Sequence, residues 1–154
     1  MTDQRTLRPP ERPRDRFGRP LPWGSVTEID FEDYASLTRE ANHALGIAHF
    51  NASRFFQAHE AWEEAWRKAS NSPDEAFFKG LAQLGAAYTH YVRGNAHGAR
   101  VLLERALERI ALYGPAHLGL DVAGLTPRFQ EQATAFALAE ATQTPPAAVR
   151  PPEL

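Results

Sequence analysis

No cysteine occurs among the 154 residues, which excludes disulfides, thiol nucleophiles, thiol redox switching and every thiolate metal site. Histidine, aspartate and glutamate are the side chains left to hold a metal. No apolar run approaches the ~20 residues of a membrane-spanning helix, and the mean hydropathy is −0.47, so no membrane partner is expected. The opening Met1-Thr2-Asp3-Gln4-Arg5 leads into proline and arginine instead of an apolar stretch, which predicts no secretory signal and a cytoplasmic location. A P-loop, a dinucleotide glycine fingerprint and a nucleophile elbow are also missing, and no alternating run marks a strand. No catalytic residue is assigned.

Residues 1–25 hold six arginines against Asp3, Glu11 and Asp15, a balance of +3, while the whole chain carries −2. The arginines alternate with proline through Pro22, and few apolar side chains accompany them. Proline removes amide donors and little burial offsets the ordering entropy, so residues 1–26 are expected to be an extended or disordered tail. The proline-rich residues 144–154 are expected to behave alike. A single domain over 27–143 remains, and a chain of this size can bury roughly 68–70% of its unfolded surface in one core. The net negative body argues against a nucleic-acid partner, because no basic and aromatic residues interleave on a reading surface.

Every segment of the body has helical periodicity. Asp30 and Asp33 resemble an acidic N-cap, after which Tyr34, Leu37, Ala41, Ala44, Leu45 and Ala48 predict the buried stripe of a first helix ending near Phe50. A second helix, Arg54 to about Lys68, places Phe55, Ala58, Trp62, Ala65, Trp66 and Ala69 on one face. Ser72 and Pro73 have the cap and first-turn chemistry to start a third helix reaching about Arg93. Its Ala76, Gly80, Ala82, Gly85, Ala86 and Ala87 are small, and two interior glycines cost roughly 1 kcal/mol each against alanine, so close helix packing or a pocket is expected to offset them. Gly94-Asn95 turns into a fourth helix that stops at Gly114-Pro115. Asp121 is a cap candidate for a short turn, and Thr126-Pro127 predicts the start of a last helix to about Ala141. An offset of 41 places Ala58 over Ala99, Glu63 over Glu104 and Ala65 over Ala106, a weak internal repeat. The expected fold is all-α: a compact bundle of about five helices, arranged as two tetratricopeptide-like hairpins plus a C-terminal helix.

With His59 as the zero of a helical wheel, Trp66, Phe55 and Trp62 fall at about −20°, −40° and −60°, and Glu63 and Phe56 at about +40° and +60°. His59 and Glu63 are thus wedged between aromatics. On the third helix Gln83 and His90 share a face with Ala76, Gly80 and Ala87. If the second and third helices pack as neighbours, His59, Glu63, Gln83 and His90 could converge. Two imidazoles and a carboxylate match the ligand set of a zinc or non-haem iron site, so His59, Glu63 and His90 are the metal candidates. His59-Glu60-Ala61-Trp62-Glu63 has Glu63 where a zincin requires its second histidine. The plainer alternative is a hydrogen-bonded pair within an apolar stripe. His43, His49, His97 and His117 lie near helix ends or turns and are expected to be exposed.

The run from Ala44 to Arg67, ALGIAHFNASRFFQAHEAWEEAWR, together with Phe77-Phe78-Lys79-Gly80-Leu81-Ala82-Gln83-Leu84-Gly85-Ala86-Ala87 and Gly94-Asn95-Ala96-His97-Gly98-Ala99, resembles the bacterial and archaeal family known as domain of unknown function 309. The likeness covers roughly residues 40–122, with His59-Glu60 to Trp66 as its most specific part. It implies a small all-helical fold and marks His59, Glu60, Glu63, Trp66, Gly80 and Gln83 as signature positions. Ser53 stands where the family pattern has glycine, and Lys79 where it has glutamine.

These readings together predict a helical protein that binds a small ligand or ion in a polar pocket between the second and third helices, at His59, Glu60, Glu63, Trp66, Gln83 and His90. One alternative is an interaction or self-association module, possible as a homo-oligomer with a purely structural His/Glu network. The other is a metal-dependent hydrolase. The identity of a small-molecule or protein partner is unknown from sequence, and no cofactor is required for folding, though a divalent metal fits the candidate residues.

Overall fold

The computed structural model describes residues 12–30 and 32–154. It forms two units, divided at Phe31. In the first, the Asp15 carboxylate accepts from the amides of Phe17 (2.8 Å) and Arg19 (2.9 Å), and Gly18 takes a positive φ of 79°. That Asx-type turn brings Arg14 opposite Pro20 in an isolated bridge. The remainder of the expected N-terminal tail, residues 1–11, lies outside the described residues.

The second unit holds five α-helices among its described residues: α1 (Arg39–Asn51), α2 (Phe55–Lys68), α3 (Glu75–Val92), α4 (Ala96–Ile110) and α5 (Val122–Ala141). Each packs on the next along the chain, and α3 has the most extensive contacts, with α2 on one side and α4 on the other. The all-α bundle expected from periodicity is what forms. Phe50, Phe55, Trp62, Tyr88, Phe129 and Phe136 stack mostly edge to face through its centre. No described helix is long and apolar enough to cross a membrane.

Three local expectations are corrected. The first helix begins at Arg39, where Thr38 accepts from the Ala41 amide, and Tyr34–Ser36 form a separate 3-10 turn. Its buried face is also different: Asn42, His43, Gly46, His49 and Phe50 point inward, while Ala44 and Ala48 are exposed. Each of these polar side chains has at least one polar atom paired, while Asn42 Oδ1 and His49 Nδ1 are buried without a hydrogen-bond partner among the described residues. Asn42 Nδ2 donates to Tyr34 O at 2.9 Å, and Tyr34 Oη lies 3.3 Å from His49 Nε2. The third correction concerns α5, which begins at Val122 and not at Thr126. Asp121 caps it by accepting from Gly124 N at 3.0 Å, and Pro127 lies inside, with Thr126 Oγ1 donating to Val122 O. Pro127 is still near the N-terminus, so it removes one amide without breaking the helix.

The α1–α2 turn places Ser53 at φ 59°, a left-handed conformation. An L side chain there costs roughly 1–2 kcal/mol and glycine nearly nothing. Ser53→Gly is therefore expected to raise stability by about 0.5–1 kcal/mol, because the added freedom of the unfolded glycine offsets part of the relief. Urea denaturation with an unchanged slope is the check; equal or lower stability would contradict it.

Residues 145–154 run over the bundle without regular secondary structure. Pro152 is fully buried, and Val149 and Leu154 pack on the core.

Candidate functional site

The site starts from a missing side chain. A Cβ built on Gly85 of α3 would lie 2.8 Å from the backbone nitrogen of His59 and 2.9 Å from its Cα. Only glycine lets α2 approach this closely. The approach brings His59 Nδ1 to 2.8 Å from the carbonyl of Ala82. A carbonyl can only accept, so Nδ1 carries the proton and the ring's other nitrogen, Nε2, is turned toward two carboxylates. Nε2 lies 3.4 Å from Glu63 Oε2 and 4.0 Å from Glu60 Oε1. One ligand atom from each of the three residues falls within 4.8 Å of the others. The three side chains are 26–29% exposed, so the cluster is open on one side.

Arg67, one turn further along α2, holds the other oxygen of Glu63 at 3.1 Å and Glu64 at 2.6 Å. Burial is the largest influence on His59 and by itself lowers its pKa. Glu63, the Ala82 carbonyl and Glu60 together outweigh it and leave the pKa raised. Glu63 is lowered, chiefly by its hydrogen bond to His59, against desolvation.

These opposite shifts predict a pH window. The raised His59 contributes stability that is complete below its ordinary value of ~6.5 and is lost as pH rises through the folded value. The lowered Glu63 contributes stability that is complete above its ordinary value of 4.5 and is lost as pH falls through the folded one. The difference in melting temperature between wild type and Glu63→Gln is expected to be largest between about pH 4.5 and 6.5 and to shrink on both sides. A difference that is flat from pH 4 to 9 would contradict the pairing.

Gln83 and His90 do not join this cluster. They share the face of α3 that carries Gly80, and that face packs on α4: a Cβ on Gly80 would meet Arg109 Cβ and Ile110 Cγ1, each at 3.0 Å. Gln83 is turned about 160° around the helix from Gly85. Its Oε1 is buried without a hydrogen-bond partner. The His90 ring sits against Gly98 of α4 and 3.0 Å from Asn95 Nδ2. The four-residue convergence assumed that the small-residue face of α3 met α2, whereas it is Ala82 and Gly85, on the other side, that do. Trp66 flanks the cluster region and is covered by Lys79, whose Nζ stands 5.2 Å from the indole centroid.

Sequence reasoning missed a second polar centre. His43 and His49 are buried, contrary to expectation, while His97 is exposed and His117 partly so. His43 Nε2 donates to Leu118 O at 2.8 Å, and its Nδ1 accepts from Trp62 Nε1 at 3.2 Å. Both ring positions are committed, and burial, the largest cause, lowers the pKa, so this imidazole is held neutral. His117 donates to Asp74 at 2.7 Å. No sequence spacing linked His43 to Leu118, 75 residues away.

Residues 44–102 match the family model described as Domain of unknown function (DUF309). Over that segment the chain is similar to the DUF309 family. The match is shorter at both ends than the resemblance read from sequence. No curated protein and no solved structure matches the chain. The DUF309 segment runs from within α1 to within α4. It includes His59, Glu60, Glu63 and both glycines that set the α2 and α4 approaches to α3, so the cluster and the packing that builds it belong to the same family segment.

Proposed function

We propose that the DUF309 segment of this protein binds a divalent metal ion through His59 Nε2, Glu60 and Glu63. The observation that carries this reading is the orientation of His59. Its Nδ1–H is fixed by a backbone carbonyl, leaving Nε2 aimed at two carboxylates, the outer-shell arrangement typical of metal-ligating histidines. Ligand atoms around an ion at 2.0–2.2 Å stand about 3–3.5 Å apart; His59 and Glu63 at 3.4 Å already meet this, and Glu60, 4.0 Å from His59 within a set spanning up to 4.8 Å, has to move inward. Arg67 occupies one oxygen of Glu63 and leaves Oε2 for the ion. A nitrogen and two carboxylate oxygens suit zinc, manganese or ferrous iron over softer ions, and the open side leaves room for water or a small anionic ligand. Gln83 and His90 are outside this set.

A second reading has its own support: a doubly protonated His59 between Ala82 O and Glu63 is satisfied without any ligand, as a structural network in a helical interaction module would be. Calorimetric titration of chelator-treated protein with zinc and with manganese at about pH 7.5 separates the two. One saturable site is expected, weakened at least tenfold by His59→Gln and by Glu63→Gln and unchanged by Glu104→Gln. Affinity rises with pH, because the ion displaces a proton from Nε2. Absence of saturable binding, or binding indifferent to His59→Gln, would leave the structural network as the better account.

A further inference from the structure

Residues 149–154 are held on the bundle much as a bound peptide is. The contacts that hold them run from helix side chains to the segment's backbone. Tyr91 Oη accepts from Val149 N at 2.9 Å, Gln132 Nε2 donates to Arg150 O at 2.7 Å, and the Asn51 amide pairs with both backbone groups of Leu154, at 2.8 and 3.0 Å. Paired side-chain-to-backbone bonds of this kind recognise an extended chain without reading its sequence. Specificity comes from two anchors. Pro152 is fully buried, and Leu154 helps line an apolar cavity among Leu81, Leu107, Leu125 and Phe129 in which only about 10 Å³ stays empty.

Between these anchors the fit is loose. A cleft of about 350 Å³ is lined by Val149, Arg150 and Pro152 of the segment and by Arg128, Glu131, Gln132 and Ala135 of α5. Another of about 180 Å³ lies between the segment and Asn51 and Ser53 at the end of α1. The connecting residues 141–145, 147 and 148 are exposed. Point anchoring, open flanks and an exposed connector are the conditions under which an element exchanges between identical chains at little cost.

We propose that the surface formed by Asn51, Tyr91, Gln132 and the leucine-lined cavity is a receptor site for an extended segment of the pattern Val-x-x-Pro-x-Leu, filled in cis by residues 149–154 and open to the same segment of a second copy of this chain. Proline pre-sets such a segment in an extended form and lowers the entropy lost on docking. The cis segment competes at the millimolar effective concentration of a short tether, so trans binding is masked until the cis anchors are weakened.

The probe is a fluorescein-labelled synthetic peptide of residues 145–154, titrated by anisotropy into the full chain. Full-length protein carrying Pro152→Ser and Leu154→Ser is expected to bind it saturably, at least tenfold more tightly than wild type. Adding Asn51→Ala to that variant is expected to weaken binding at least tenfold. Asn51 is exposed, and circular dichroism confirms that each variant is folded. No saturable binding by the doubly substituted chain, or binding indifferent to Asn51→Ala, overturns the receptor site. Wild type is expected to form dimers as its concentration rises toward about 1 mM, the scale of the tether's effective concentration. Peptide binding with a wild type that stays monomeric there overturns the second copy as occupant and leaves a foreign segment of the same pattern.

Discussion

Gly85→Ala is expected to destabilise the protein by about 2 kcal/mol despite an intrinsic helix preference that favours alanine by ~1 kcal/mol. The new methyl would lie 2.8–2.9 Å from backbone atoms of His59, and backbone cannot rotate away as a side chain can. Relief requires α2 to move off α3, an overpacking cost of about 1–3 kcal/mol or more, and the movement draws His59 Nδ1 away from Ala82 O. Gly80→Ala is the internal comparison. There the nearest atoms are Arg109 Cβ and Ile110 Cγ1 at 3.0 Å and the Ala106 carbonyl oxygen at 3.3 Å, all farther away than the His59 backbone is from Gly85, so they need give by only a few tenths of an ångström and the helix preference nearly cancels the strain. Thermal melts of the two variants test this directly. Gly85→Ala is expected to fall well below wild type and Gly80→Ala to stay near it; equal effects would contradict the α2–α3 contact as the tighter one.

A larger loss is expected from Gly46→Ala. The added methyl would lie 2.4 Å from the Trp62 indole, a fully buried ring with no free space to enter. Displacing it strains the core by about 1–3 kcal/mol. It also parts Trp62 Nε1 from His43 Nδ1, leaving a buried acceptor unpaired at a further cost of about 1–3 kcal/mol. Against a domain stability of about 5–15 kcal/mol, that sum is severe. Trp62→Phe separates the contributions, because it removes the indole N–H without adding bulk beside Gly46. Urea denaturation of both variants is the measurement. Wild-type stability in Gly46→Ala would contradict the packing, and wild-type stability in Trp62→Phe would contradict the weight given to the hydrogen bond.

How far the sequence could be read follows from where its periodicity was informative. On α2 the stripe Phe55, Ala58, Trp62 and Ala65, with Ala69 just past its end, is apolar and buried as the wheel predicts, while Trp66 of the same stripe is half-buried. On α1 the same rule selects Ala44 and Ala48, which are exposed, and passes over Asn42, His43 and His49, which are buried. Their burial depends on partners supplied by Tyr34, Trp62 and Leu118, and hydrophobicity alone does not report partners. The site divides along the same line. His59, Glu60 and Glu63 stand within five residues on one helix, so local geometry suffices to bring them together. The inclusion of Gln83 and His90 required knowing which face of α3 meets α2, and two small-residue faces competed for that role. Gly85 and Ala82 take it because the combination of no Cβ and an accessible carbonyl accommodates His59; Gly80 takes α4.

The most direct test of the proposed metal site is nitrogen NMR of the imidazoles, following ¹⁵N-labelled chelator-treated protein as zinc is added at about pH 7.5, with His59→Gln assigning the signal. Before zinc, the His59 spectrum is expected to show a proton on Nδ1 held by Ala82. On addition, Nε2 is expected to shift as a ligating nitrogen and Nδ1 to keep its proton, while the neutral His43 ring, occupied at both nitrogens, stays unchanged. A His59 ring that keeps protons on both nitrogens and does not respond to the ion would contradict the account.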